Sequence, residues 1–505
     1  MLLYVLVSVI CAICIYIKWK QTYWKRNGVD YIEPDFFFGN TTAITKRKEH
    51  RAVVFQKFYN YFKGKGERFG GIYDFFSPVV VVTDLELIRC VLQKDFSHFV
   101  NHLGYINEEA DPISGNLFNL KDEKWKNIRA KLTPTFTTGK IKMMFETLID
   151  CSSGLQKVLD KYAIINEPVD IKKILLLFST DVITSVAFGL QVNSLENPQT
   201  EFRRYFEKLF EPSLTLLIKR LISLSFPQWL LVKMRFRLSR KEVEEFFVKV
   251  VNDIVEHREK NNVFRKDFMQ LLIQIKNSGT TTNIENINAH SAVKHLTINE
   301  MTAQAVTFYI AGNETSSATM SFALLELALN PSIQNKLREE IRANVKKHGN
   351  ELTYDGIMEM EYLDLVVQEA LRKYPSASGL SRACNKPYRI PGSDVVIEPG
   401  TEVMIPLYGL HRDPEYYPDP DKFDPERFNA TNRSKIPVSA YLPFGEGPRA
   451  CIGLRFGKLQ TKVGICAVIW KFKVTVNNKT QLPIKLSSSR FPTAQGGIWL
   501  NLEKI

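Results

Sequence analysis

Residues Phe444 to Gly453, FGEGPRACIG, decide how the rest of this chain is read. Gly445, Gly447 and Pro448 keep regular structure away from Cys451, whereas Leu454 onward, LRFGKLQTKVGICAVIW, has helical spacing. Cys451 therefore belongs to a loop at the N-terminal end of a helix. The helix dipole and the unpaired N–H groups there are expected to stabilise a thiolate and lower its pKa. Gly453 lets a flat ligand approach the backbone, and Arg449 stands two residues away to pair with an anionic group on that ligand. The bland alternative is a buried structural cysteine after a glycine-rich turn. Against it stands the spacing F-x-x-G-x-R-x-C-x-G, which arises by chance in about one chain in ten thousand of this size.

Working outward, the next informative stretch is a long apolar pattern that opens on Thr297 and Glu300, a capping box, and stops at Asn330 before Pro331. At 1.5 Å per residue it predicts a helix about 48 Å long. Gln304, Asn313 and Glu314 are costly in hydrocarbon, so a buried central helix is preferred to a second transmembrane span. Inside it lies Ala311-Gly312-Asn313-Glu314-Thr315-Ser316. A mid-helix glycine costs about 1 kcal/mol relative to alanine, and buried Asn and Glu cost more unless paired. The expectation is a site: Gly312 opens a groove, Thr315 presents a hydroxyl into it, and Glu314 feeds protons. A solvated kink is the alternative.

The bulk properties agree with one large globular domain. The apolar share of 45% and charged share of 24% exclude disorder as the default. A net charge of +13 fits an anionic membrane face or an acidic protein partner. Nucleic acid is not expected, because the basic residues are spread along the chain without a recognisable binding motif. The 7 cysteines, odd in number and far apart, point to a reducing compartment. Leu2 to Ile17 is an apolar run followed by Lys18, Lys20, Lys25 and Arg26, with Trp19 placed for the interface. It reads as a membrane anchor over 1–19, with a basic linker over 20–40 and the body over 41–505 on the cytosolic side. A cleaved signal peptide is the rival, disfavoured because the charge follows the apolar run. Asn277 to His295 reads as a polar loop. Strands are expected at Pro78–Thr83, Val395–Ile405 and Gly496–Leu502. The fold class is mainly α with minor β.

Three segments carry a resemblance that spans essentially the whole chain: FGEGPRACIGLRFG, DPISGNLFNLKDEKWKNIRAKLTPTF and HRDPEYYPDPDKFDPERF. They resemble cytochromes P-450, and most of all the insect microsomal branch that oxidises plant toxins and insecticides. The resemblance implies a haem-thiolate monooxygenase in which Cys451 ligates the iron of haem b, within a signature that includes Phe444, Arg449 and Gly453. Glu314 and Thr315 match the oxygen-activation segment. Trp125 and Arg129, on one helical face, match a pair that holds a haem propionate, joined by Arg382 and Arg449. Glu369, Arg372 and Arg427 match a structural charge triad. Pocket positions implied are Phe308, Ala311, Ser376, Ala377, Leu380, Thr493 and Ala494. The partners implied are an NADPH-dependent reductase, cytochrome b5 and a lipophilic substrate, at the endoplasmic reticulum membrane. Asn313 (often Phe in that branch), Ser376 (usually Pro) and a hinge reduced to Pro34 depart from the pattern and bear on substrate range.

Two further surfaces follow. Pro212 to Arg240 mixes Leu216, Leu217, Ile218, Leu221, Ile222, Leu224, Phe226, Trp229 and Leu230 with basic residues, which fits a segment resting on a membrane or a buried helix pair. Lys124, Lys126, Lys131, Arg455 and Lys458 form a basic face for an acidic electron donor, or an ordinary solvated one. Two other functions stay open: a peroxide-rearranging isomerase or dehydratase, disfavoured by Glu314-Thr315, and a non-catalytic haem protein.

Overall fold

The computed structural model describes residues 1–211, 213–278 and 295–505. The polar stretch expected as a loop, Asn277 to His295, lies outside these apart from Asn277, Ser278 and His295. The main helices are α1 (Leu2–Lys20), α2 (Arg51–Gly64), α3 (Asp122–Leu132), α4 (Phe145–Ile164) and α5 (Ile171–Ala187). They continue with α6 (Leu214–Ser225), α7 (Lys241–Lys260), α8 (Ile298–Leu329), α9 (Pro331–Lys347), α10 (Glu361–Lys373) and α11 (Leu454–Ile469). The expected class, mainly α with minor β, is what forms.

Helix α8 is the axis. Its capping box is complete: the Thr297 hydroxyl accepts from the Glu300 backbone N–H while the Glu300 carboxylate accepts from the Thr297 N–H. It ends at Asn330, and Pro331 opens α9 at the position where a missing N–H costs nothing. Alternation of apolar and small residues around its whole circumference leaves most of α8 buried. It packs most extensively on α5, and also on α11, α7 and α10. Gly464 of α11 allows the closest approach, since a Cβ there would meet Met320 Sδ at 2.1 Å.

Strands β1 (Phe69–Asp74), β2 (Ser77–Val82), β4 (Leu380–Ala383) and β7 (Glu402–Ile405) build one sheet in the order β1-β2-β7-β4. A second joins β3 (Val169–Asp170), β9 (Trp499–Lys504) and β8 (Phe472–Val476), and β5 (Tyr388–Arg389) pairs with β6 (Val396–Ile397). The single run expected over Val395–Ile405 is thus broken into β6 and β7 by Glu398–Thr401. Strand β7 leaves its sequence neighbours to lie parallel to β2, far upstream, because the Val79–Met404 face closes over the apolar side of α2. Residues 20–40, read as a linker, are docked: Trp24 is buried, its indole N–H donates to the Ile72 carbonyl, and Tyr31 bridges Gly71.

Helix α1 has mean hydropathy 2.3 and no buried residue, so it is long and apolar enough to cross a membrane. Helix α6 and the turn Gln228–Lys233 likewise leave Leu214, Ile218, Phe226 and Trp229 exposed, Trp229 by 67%.

The expected triad forms beneath the core. Both carboxylate oxygens of Glu369 receive Arg372, at 2.7 and 2.8 Å, and Arg427 Nε lies 3.5 Å from Oε1. Arg372 also donates to the His411 carbonyl at 2.9 Å. Burial raises the Glu369 carboxyl, offset by Arg372. Glu369→Ala would strand a guanidinium with no solvent access, so a loss of about 3–5 kcal/mol is expected in denaturant unfolding. His411 Nε2 accepts from the Leu442 N–H at 3.0 Å, which requires a neutral ring. Burial, then Arg372, pushes its pKa down to about 3, and His50 is pushed down to about 4 by burial, then Arg51. Because both folded values lie below the free value of about 6.5, their contribution is complete above that pH and is lost as pH falls toward 3–4. Melting temperature should therefore decline below about pH 6.5, less steeply in His411→Gln.

Candidate active site

The loop over 443–453 has no ladder of its own and is held from outside. Gly445 and Gly447 take positive φ of 70° and 74°, and a Cβ on Gly447 would strike the Leu92 carbonyl oxygen at 1.9 Å. The Cys451 N–H donates to the Phe444 carbonyl at 2.9 Å. Arg129 Nη1 reaches the Ala450 carbonyl at 2.9 Å. Arg449 donates to the carbonyls of Val100, Leu117, Phe118 and Leu120 at 2.7–3.3 Å and stacks 4.1 Å over the Trp125 ring. Its expected role as a free partner for an anion is therefore corrected: most of its donors serve the backbone.

Cys451 opens onto a cavity of about 570 Å³, although protein surrounds it on every other side. Helix α11 begins at Leu454 with Gly453 as its cap, so the cysteine stands just ahead of the helix. The expected lowering of its pKa is not what the surroundings produce. Burial raises the thiol, and the Gly453 N–H and Arg129 offset this only in part.

The cavity is lined by Trp125, Arg129, Phe308, Ala311, Gly312, Thr315, Ser376, Ala377, Leu380, Arg382, Phe444, Arg449, Cys451 and Gly453, as the sequence led us to expect. Phe308 meets Phe268 edge-on at 4.2 Å, which fixes one apolar wall. Three expectations are corrected. Thr493 and Ala494 are not in the lining; Ala494 is in the core, and the same loop contributes Arg490 and Phe491 instead. Gly312 opens no empty groove, since its bare face is filled by Ile183, whose Cδ1 lies 2.6 Å from where a Cβ would be. Glu314 is absent from the lining: its carboxylate binds Lys172 of α5 at 2.9 Å, and Lys172 also donates to the Ser317 hydroxyl at 2.7 Å. Burial lowers the Lys172 ammonium pKa against the pull of Glu314. Thr315 reaches the cavity with its hydroxyl returned to the Ala311 carbonyl at 2.6 Å. Asn313 is buried and donates to the Thr180 hydroxyl at 3.1 Å.

His102 is a lining residue that sequence reading missed. Its Nδ1 faces the Phe118 carbonyl at 2.9 Å and its Nε2 takes Arg382 Nη1 at 2.9 Å, while burial, then Arg382 and Arg449, hold its pKa near about 3. No short-range pattern marks such a histidine, because its partners lie on β4 and a distant loop. On the far side of the loop the basic face is partly neutralised: Lys458 and Lys462 share Asp364, and Lys124 pairs with Glu108.

The residues present fit a planar haem. Gly453 and Gly457 turn bare backbone to the cavity, where a Cβ would meet only Phe136 at 3.9 Å or nothing. Beside that flat floor stand one thiol, the guanidinium of Arg129 and Arg382, whose buried Nε has no hydrogen-bond partner among the described residues. A soft ligand ringed by cations suits an iron porphyrin carrying carboxylates.

A family profile described as cytochrome P-450 matches residues 33–501. The chain is similar to probable cytochrome P-450 6a13 of Drosophila melanogaster, 40% identical over 488 residues that cover 96% of this chain and 95% of the relative. It is 41% identical to probable cytochrome P-450 6a14 of the same fly, covering 96% of each. Cytochrome P-450 6A1 of Musca domestica is 40% identical, covering 100% of this chain and 98% of the relative.

The Lys172–Glu314 pair makes a measurable claim. A double-mutant cycle of Lys172→Met and Glu314→Gln should give a coupling energy of about 1–3 kcal/mol in unfolding experiments. A coupling near zero would mean that Glu314 is not held by α5.

Proposed function

This chain belongs to the cytochrome P-450 family, and from that premise we propose that Cys451 is the iron ligand and Thr315 the cavity hydroxyl of a monooxygenase acting on lipophilic molecules. The family carries haem with a cysteine thiolate on the iron, takes NADPH-derived electrons from a reductase and acts on a small molecule. Bound haem supplies the activation of O₂, so that RH, O₂, NADPH and a proton give ROH, water and NADP⁺.

The observation that carries the assignment is the meeting of Cys451, bare Gly453 and Gly457, and Thr315 in one cavity. Arg129, Arg382 and Trp125 would hold the haem carboxylates, with Arg449 and the neutral His102 positioning them. Thr315 would pass a proton into the cavity by turning its hydroxyl from the Ala311 carbonyl. Glu314 would resupply it on release from Lys172, which ties proton entry to the α5–α8 contact. The apolar lining of Phe136, Ile183, Phe268 and Phe308 favours greasy xenobiotics or endogenous lipids.

Helix α1 is proposed as the anchor, residues 20–40 as the segment leading from it and 41–505 as the catalytic domain, on the cytosolic side of the endoplasmic reticulum. The exposed apolar residues of α6 and Trp229 would rest on the same membrane. The face with Lys126 and Arg455 would dock the reductase, and cytochrome b5 as a second donor.

The reduced protein under carbon monoxide should show the red-shifted Soret band of thiolate ligation, and Cys451→Ser should abolish it. A histidine-type band, or an unchanged band in the variant, would overturn the assignment. In Thr315→Ala, product formed per NADPH should fall roughly tenfold or more, measured by parallel NADPH and product assays.

A further inference from the structure

We infer that a second, polar cavity beside the first is the port through which the oxygenated product leaves for water, with Val186 as its gate. The inference rests on the monooxygenase reading and adds the route of release and the class of molecule that takes it, a hydroxylated product or a small polar solute. The second cavity holds about 300 Å³ and is lined by Met143, Glu146, Val186, Arg265, Lys266 and Asp267, with Thr147. Val186 lines the cavity of Cys451 as well, and so do Met144 and Phe268, the chain neighbours of Met143 and Asp267. The two spaces therefore stand back to back, parted at Val186 by a single side chain.

Their linings differ in kind. On the Cys451 side the wall is apolar, with Ile141, Met144, Ile183, Phe268 and Phe308. On the other side four of the lining residues carry charge, and Glu146 and Lys266 are exposed, so the small cavity meets water. A substrate that enters as a hydrocarbon leaves with one more hydroxyl, and a hydroxyl without a partner is costly among apolar side chains. The polar groups beyond Val186 offer it partners, which gives product and substrate opposite preferences for the two spaces.

The frame of the port is braced, while its gate is slight. Arg265 donates to the Gly189 carbonyl and to the Ser185 hydroxyl, and its Nε lies 3.3 Å from the Asp267 carboxylate. Asp267 also takes both arms of Arg258, at 2.6 and 2.9 Å. These bonds join the end of α5 to the start of the helix Phe268–Ser278. Gly189, at φ 73°, leaves room for Arg258, since a Cβ there would collide with its Nη2. Val186 lies in the last turn of α5, between Ser185 and Gly189, and is a β-branched side chain with one preferred rotamer in a helix. Met144, on the same wall, is unbranched and adapts readily. The gate opens by a shift of Met144 and of two methyl groups, with the arginine frame intact. The port draws no lining residue from α1 or α6, the elements suited to the membrane, so release to water is separated from entry out of lipid.

Stopped-flow binding of imidazole, a small polar ligand of ferric haem, to the detergent-solubilised, haem-loaded full chain tests this, beside 1-decylimidazole, whose tail favours lipid. Val186→Ala should raise the association and dissociation rate constants of imidazole together, about threefold, and Val186→Trp should lower both about tenfold. The dissociation constant should stay within about twofold, as it must when only a gate is changed. The rates of 1-decylimidazole should stay within about twofold as well. Lys266→Glu should slow a carboxylate-bearing probe, imidazole-4-acetate, about threefold and leave imidazole unchanged, because charge at the mouth steers a charged solute. If Val186→Trp takes up no haem, Val186→Ala and Lys266→Glu decide the matter. Imidazole rates that do not move in the Val186 variants, or that move equally for 1-decylimidazole, would overturn the port. A thiolate carbon monoxide band in that case leaves the monooxygenase standing, whereas its absence from the unmodified protein would overturn the monooxygenase itself.

Discussion

Arg449 stands two residues from Cys451 and gives its guanidinium to the carbonyls of Val100, Leu117, Phe118 and Leu120, while Arg129 binds the Ala450 carbonyl from α3. A loop rich in glycine and proline loses much conformational entropy on ordering and has few backbone bonds to offset it. These charge-assisted bonds, about twice as strong as neutral ones, are what fix the thiol at one place in the cavity. The Trp125 ring beneath Arg449 completes the clamp, so the segments near residues 100, 120 and 450 act as one body. The site then depends on α8 only for the opposite wall.

Buried charge is used in two different ways in this molecule. In the Glu369–Arg372–Arg427 triad the carboxylate takes two short bonds from Arg372 and faces Arg427 at 3.5 Å, so the three charges support one another inside the protein. Around the cavity the matching is incomplete: among the described residues Arg382 keeps an unpartnered Nε and Arg51 another, and burial pushes the Glu402 carboxyl up to about 7. Incomplete matching is costly in a folded chain, and at the cavity it is placed where a cofactor or substrate can complete it.

The capping box of α8, its stop at Pro331, the break at Gly445–Pro448 and the start of α11 were all legible, because each follows from local rules of backbone hydrogen bonding and dihedral preference. Cys451, Thr315 and the lining residues Phe308, Ala311, Ser376, Ala377 and Leu380 were legible through spacing and resemblance. The register of the loop before β9 was not: a displacement of three residues exchanges Thr493 and Ala494 for Arg490 and Phe491. Nor was the occupation of the Gly312 groove by Ile183, since nothing in α8 says what α5 places against it.

The sequence by itself determined the capped central helix, the anchor-like run and the thiol on its loop, for these depend on neighbours within a few residues. Only the tertiary structure decided which charges meet. It put Lys172 on Glu314, His102 on Arg382, β7 beside β2, and Arg51 with Glu402 and Arg490 at one cavity wall. The physical reason is that electrostatic and packing partners are chosen by distance in space, and residues hundreds of positions apart carry no local mark of it.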